Sequence, residues 1–159
     1  MPLASVKMLI WHLMCHDCQY KGIVYVIAGD GYGRFIGRTS MKELAFLDAM
    51  KDEVFDEVRR IVVEDLGLNN SYYVRRALSV VYDPAPSGQL YDFTGNFKCP
   101  ACGSRDIRYG PGVTPEAEMV EVYLATHDSW LRLSDEEKKE RISNFLQRDE
   151  SCPTVTGEP

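Results

Sequence analysis

The chain of 159 residues predicts an α+β fold. Three observations carry that expectation. Runs such as Ile23-Val24-Tyr25-Val26-Ile27 are β-branched and aromatic, as strands are. Other segments place apolar residues at steps of three and four, the period of a helix face. Two Cys-x-x-Cys pairs, Cys15/Cys18 and Cys99/Cys102, lie between strand-like flanks.

Length and composition set the bounds. A chain of this size fits one domain with a real core, and 45% hydrophobic with 26% charged residues is ordinary globular composition. The expected domain spans residues 1–148, with an insertion at 28–88 and a flexible tail at 149–159. The formal net charge is −6, so general attraction to phosphate backbones is not expected. Residues 103–159 alone hold seven Lys/Arg against twelve Asp/Glu. No stretch reaches the roughly 18–20 apolar residues that cross a bilayer. Residues 1–14 are apolar but carry Lys7, Trp11 and His12 and lack a small-residue cleavage site, which argues against a signal peptide. The expected compartment is the cytoplasm. There, paired cysteines more often hold metal than form disulfides.

In chain order, residues 9–14 read as a strand running into Cys15, and 22–27 as the strand returning from Cys18. Gly29-Asp30-Gly31-Tyr32-Gly33 is a loop leading to Arg34-Phe35-Ile36-Gly37. Ser40 and Glu43 have capping-box spacing, so a helix is expected from there to Leu66, stopped by Gly67. A break near 51–53 would split it in two. Residues 72–82, rich in Tyr and Val, read as a strand, with 89–93 as its hairpin partner across a Pro/Gly/Ser turn. A short strand is expected at 107–109. Gly110-Pro111-Gly112 reads as a boundary, and 119–125 as a strand by its alternation. A helix starting at Thr114 is the rival reading there. Ser134 and Glu137 form a second capping box, opening a helix that turns Ile142, Phe145 and Leu146 inward.

The cysteines carry the strongest chemical signal. A Cys-x-x-Cys turn puts two sulfurs on one side of a tight knuckle, and two knuckles complete a tetrahedral thiolate shell. In Cys99-Pro100-Ala101-Cys102-Gly103 the proline sets a turn dihedral, and the glycine lets the backbone fold under the metal. Cys15-His16-Asp17-Cys18 lacks that glycine and is followed by Gln19. Cys15, Cys18, Cys99 and Cys102 are therefore expected to bind one structural zinc ion. A rubredoxin-type iron site uses the same two pairs and stays open beside zinc. A thioredoxin-like redox pair needs a helix after the cysteines, whereas a β run follows Cys18. Cys152 reads as a spare thiol.

On these cysteines, Gly103 and their strand flanks, the chain resembles the zinc-ribbon families, in particular small bacterial zinc-ribbon proteins. The resemblance covers about forty residues and implies a ribbon split by a helix-plus-hairpin insertion. In the usual ribbon the spacer is short, whereas 80 residues separate Cys18 from Cys99 here. Ribbons serve nucleic-acid binding, enzyme lids and protein docking alike.

Weaker signals favour plain readings. His127-Asp128-Ser129 are consecutive, whereas a hydrolytic triad converges in space, so a polar turn is expected with Trp130 packed on the last helix. His16 should point away from the metal. The Gly29/Gly31/Gly33 pattern lacks the features of a phosphate loop. The doublets Arg59-Arg60 and Arg75-Arg76 read as solvated surface. Tyr72, Tyr73, Tyr82, Tyr91 and Phe93 would cluster on the hairpin. The expected function is that of a non-enzymatic, zinc-stabilised interaction protein of inhibitor, immunity or adaptor type. It would bind a protein partner through the 29–38 loop or the 72–93 hairpin. A nucleic-acid-binding regulator ranks second, and a hydrolase or transferase third.

Overall fold

The computed structural model describes residues 2–29 and 31–148. The tail at 149–159, Cys152 within it, and Asp30 of the glycine loop lie outside the described residues. The fold is α+β, and a long insertion separates the two knuckles.

Five strands form one sheet in the order β2-β1-β5-β4-β3. β1 (Leu3–Cys15) turns through the first knuckle into β2 (Lys21–Ile27), antiparallel. β3 (Arg34–Arg38) and β4 (Leu44–Asp48) form the next hairpin. After the helices, β5 (Ile107–Leu124) runs antiparallel along the whole of β1 and parallel to the end of β4. The β1–β5 register shifts between Ile10 and Trp11, which pair with Glu116 and Pro111. Residues 112–115 are looped out there, so Gly110-Pro111-Gly112 interrupts one long strand rather than marking a boundary.

The helix expected from Ser40 is corrected. Residues 44–48 are β4, and the anticipated break is the true start: α1 (Glu53–Arg60) begins where Asp52 accepts from the Val54 N–H at 2.9 Å. β4 has apolar residues on both faces because both faces are covered. Ala45 and Leu47 pack toward the helices, and Leu44 and Phe46 pack toward the opposite core. Such a run imitates helical spacing. Glu43 caps nothing; it accepts from the Thr39 and Ser87 hydroxyls. A π-helical turn, Ile61–Asp65, continues α1, and Gly67 ends it at φ 69° as expected.

The strand expected at 72–82 is a helix, α2 (Ser71–Val81), capped by Asn70 on the Tyr72 N–H. Val74, Ala77, Leu78 and Val81 are buried at spacings of three, one and three, one helical stripe. Residues 89–93 therefore have no strand partner in α2. Their ladder pairing, among the described residues, is a single antiparallel bridge from Asp92 to Arg38. This crossing needs Gly37: a Cβ there would meet Phe93 at 2.7 Å and Tyr91 at 2.8 Å.

Two cores result. The larger lies between the helices and β4, with Trp130, Phe93, Ile61 and Leu78 fully buried. The smaller lies on the other sheet face, around Val6, Met8, Ile36 and Val122. The sheet curls over it so that its two edge strands approach, and an Arg38 N–H donates to the Tyr25 carbonyl. The short α3 (Asp128–Leu131) and α4 (Asp135–Arg148) close the helical side. The second capping box is real: Ser134 N–H donates to Glu137 at 2.7 Å, and Glu137 N–H to Ser134 Oγ at 3.2 Å. Ile142 is buried, and Phe145 and Leu146 are half-buried.

Glu57 ties these helices to α1. It accepts from Trp130 Nε1 at 2.9 Å and Lys138 Nζ at 2.8 Å, and the Lys138 ammonium also lies over the Trp130 ring. Desolvation opposes its ionisation, but the bonds from Lys138 and Trp130 prevail and hold its pKa below the usual value. A carboxyl with a depressed folded pKa stabilises fully above its unfolded pKa, about 4.3, and loses that contribution as pH falls through the folded value. Glu57→Gln is expected to cost about 1 kcal/mol at pH 7, screened by partial exposure, and to flatten the stability loss of the wild type below pH 5. Urea midpoints followed at pH 7 and through the acid range check both.

Candidate metal centre

The two knuckles repeat one backbone pattern. In the first, Cys15 N–H donates to Tyr20 C=O at 2.9 Å and Gln19 N–H to Cys15 C=O at 3.1 Å. In the second, Cys99 N–H donates to Ser104 C=O at 2.9 Å and Gly103 N–H to Cys99 C=O at 2.8 Å. Each turn places the residue after its second cysteine in the left-handed region, Gln19 at φ 63° and Gly103 at φ 74°. Only the second position is the glycine such a turn favours. Gln19 adopts the same conformation, with its side-chain amide bonded to His16 C=O at 3.1 Å.

β1 delivers Cys15 opposite Ile107 of β5, and the ladder thereby sets the second knuckle beside the first. The His16 N–H donates to Asp106 C=O at 3.0 Å, and the Ser104 hydroxyl donates to the Asp17 carboxylate. The four sulfurs then converge within 4.8 Å of one another. Cys15 lies 3.6 Å from Cys102, and Cys18 lies 3.5 Å from Cys99, Sγ to Sγ. A tetrahedral ion with metal–sulfur bonds of about 2.3 Å sets sulfurs about 3.8 Å apart, so the cluster fits a metal of that kind. Cys15 and Cys99 are buried, and Cys18 and Cys102 are exposed. His16 is exposed and outside this sulfur cluster, as expected.

The thiols differ in acidity. Desolvation opposes ionisation of Cys99, but N–H donors from Cys102 and Ala101 and the Cys18 thiol bring it down to about 7. At Cys102 the Ser104 N–H favours the thiolate. Desolvation and the Cys18, Cys15 and Cys99 sulfurs outweigh it and push the group up to about 12. Four sulfurs this close cannot all carry charge unaided, and a bound metal ion would supply the compensation.

Beside the second knuckle opens a cleft of 980 Å³, walled by β2, the β3–β4 turn and the 89–98 segment. Arg38 lines it, stacked 4.8 Å over Phe97. In the sequence Arg38 is simply the last residue of the 29–38 loop segment. Its burial and its bonds come from the sheet's curl, which no local pattern announces.

The other sequence candidates disperse. His127 pairs with Asp52, Nε2 to Oδ1 at 3.4 Å, and not with its neighbours. The Asp128 and Ser129 N–H groups cap onto Asp83 at 2.9 and 3.1 Å. The plain turn reading therefore stands, and Trp130 packs against α4 through Lys138. The glycine loop leads into β3, not a helix. Arg75 and Arg76 are not solvated surface: Arg75 lies over Phe35 and donates to Phe93 C=O at 3.0 Å, while Arg76 is 7% exposed and lies over Phe145. The aromatic hairpin dissolves too, since Tyr82, Tyr91 and Phe93 are buried in the larger core. Among the described residues, no helix is long and apolar enough to cross a membrane.

Comparison with protein-family models, with curated proteins and with solved structures finds no match for the chain.

Removing the metal with a chelator, or Cys99→Ser, is expected to release amide protection at residues 15–22 and 97–108. Protection in α1, α2 and α4 should persist, because their core does not touch the sulfurs. Hydrogen exchange resolved by residue tests this, and uniform protection after metal removal would show the site to be dispensable to the architecture. Substitution at the left-handed positions should act in opposite directions. Gly103→Ala meets nothing within 4 Å, so its cost, about 1 kcal/mol, is conformational. Gln19→Gly relieves the same strain and should gain up to about 1 kcal/mol, less the lost bond to His16. Denaturant midpoints of the metal-loaded variants measure both.

Proposed function

We propose that the chain is a split zinc ribbon, with one structural zinc held by Cys15, Cys18, Cys99 and Cys102, and that it acts as a non-enzymatic interaction protein. The sulfur cluster carries this reading. Four thiolates fill a tetrahedral shell and leave no position for water or substrate, which is the pattern of structural rather than catalytic zinc. The partner is a protein, and the role is of the inhibitor, immunity or adaptor kind. A reducing cytoplasm suits cysteines that hold metal rather than disulfides.

Charge supports a protein partner over a nucleic acid. Against the net charge of −6, several cations are already engaged: Arg75 and Arg76 on aromatic rings, Lys138 on Glu57. Phosphate binding needs cations free to displace counterions along a backbone.

Two measurements test the reading. Elemental analysis of protein purified under reducing conditions should find about one zinc per chain by the ligand count. Absence of metal, or iron in its place, would defeat the zinc assignment. Titration with random duplex DNA and structured RNA at about 150 mM salt should show no appreciable binding. Submicromolar affinity that falls steeply with added salt would promote the nucleic-acid reading instead.

A further inference from the structure

β2 is an edge strand of the sheet. The Cys15 N–H bonds to Tyr20 C=O, and the register pairs Leu13 with Gly22, His12 with Ile23 and Trp11 with Val24. Hydrogen-bonded and non-bonded pairs alternate along an antiparallel ladder. Counting from Tyr20, the backbone groups of Gly22, Val24 and Val26 face β1. Those of Lys21, Ile23, Tyr25 and Ile27 face the free side. The Arg38 bond to Tyr25 C=O shows that polarity directly.

An open edge is a template for another strand, and folded proteins usually blunt it with charge or cover. Here the cover is at the ends. Tyr25 has Arg38 on its carbonyl, and Tyr25 and Ile27 pack on the smaller core. Lys21 puts a charge at the other end. Ile23, 55% exposed, stands between them on the wall of the 980 Å³ cleft.

The rest of the cleft has a definite chemistry. Leu13, Val24, Leu44, Leu90 and Phe97 make it mainly apolar. Arg38, Lys42 and Lys98 line it as cations, and its one carboxylate, Asp92, already accepts from the Thr94 N–H and hydroxyl. Arg38 Nε is buried without a hydrogen-bond partner. Burial pulls the guanidinium down from 12.5 to about 10, against the pull of Asp92, so it stays charged at neutral pH. Cys99 also lines the cleft. The Ala101 and Cys102 N–H groups already face its sulfur.

We propose that this cleft takes an extended segment of a protein partner as an added strand on β2, with main-chain bonds to Ile23 and an acidic side chain facing Arg38 and Lys42. The inference rests on the interaction-protein reading above and gives it a site. Main-chain bonds to an exposed edge supply affinity, and pockets for alternate side chains supply selectivity. The apolar wall receives one face of the added strand, and the surplus of cations selects the acid.

The test uses the full chain with its metal. It is panned against a displayed library of random octapeptides, and the recovered peptides are titrated against wild type, Ile23→Pro and Lys42→Glu. Proline at position 23 removes an outward N–H while sparing the β1–β2 ladder. The recovered peptides should be enriched in Asp or Glu. They should bind both variants at least about tenfold more weakly. In the wild type they should slow exchange of the Ile23 amide and leave that of Val24 unchanged. Equal binding to Ile23→Pro, recovery of no peptide, or peptides without acidic residues would overturn the proposal. So would a wild-type dimer in sedimentation that Ile23→Pro dissolves, which would assign the edge to a second copy of the chain. If Ile23→Pro fails to fold by circular dichroism, Lys42→Glu at an exposed position and the exchange pattern still decide. A protein partner bound equally by wild type and Ile23→Pro would preserve the interaction reading and remove only this docking site.

Discussion

The antiparallel ladder between β1 and β5 is the constraint on which the rest of the structure depends. It pairs Leu3 with Tyr123 at one end and Cys15 with Ile107 at the other. The second knuckle is thus carried to the first by strand pairing, across a spacer of 80 residues. Closing a loop of that length has an entropic cost that grows only slowly with length. Most of that closure is accomplished by the ladder, so the four-sulfur cluster completes a geometry that the sheet has already imposed. The same ladder lets β5 reach β4, and this places both hairpins in one sheet.

The helical core and the sulfur site are joined by a short tether. Phe93 is fully buried among the helices, and Cys99 is a ligand candidate, so residues 94–98 connect two fixed points. Along that tether Phe97 packs edge-on against Tyr109 and carries the Arg38 guanidinium on its ring. The tether is also a wall of the cleft. Distortion at either end therefore reaches the cleft through backbone and ring contacts, without needing any larger rearrangement. Gly37 fixes where the tether begins, because only there can Tyr91 and Phe93 approach the β3 backbone so closely.

Much of this was legible in the residues, and the failures have physical causes. Both knuckles, the first hairpin, the strand at 119–125 and the last helix follow from local chemistry alone. The two capping boxes show where local chemistry stops. Ser134 and Glu137 exchange bonds as their spacing implies, while Ser40 and Glu43 have identical spacing and do not. The difference lies beyond the motif. The residues after Glu43 are wanted by a sheet buried on both faces, and tertiary packing overrides the cap. The tyrosines of α2 misled by composition. The helical stripe of Val74, Ala77, Leu78 and Val81 was present in the same residues, and its period is the more reliable signal. The cleft had no local signature, because its walls come from segments far apart in the chain.

The interaction reading draws its support from where the chain's polar capacity is already engaged. Asp52 caps α1 and receives both the Tyr82 hydroxyl, at 2.9 Å, and His127. Burial and the adjacent Asp52 carboxylate push the Tyr82 hydroxyl pKa well upward, so that phenol serves as a fixed donor. Asp83 collects three donors at the turn before α3, the Thr126 hydroxyl and the Asp128 and Ser129 N–H groups, while its own N–H donates to Thr126 C=O. Groups held in this way stabilise a scaffold. The edge of β2 is different: its outward backbone groups at Ile23 pair with no strand among the described residues, and the cations lining the cleft beside it outnumber the acids. A surface with main-chain capacity, apolar wall and surplus charge in one place is suited to recognising another chain, and that is why recognition, rather than chemistry at the thiolates, is the reading the molecule's own economy of bonds favours.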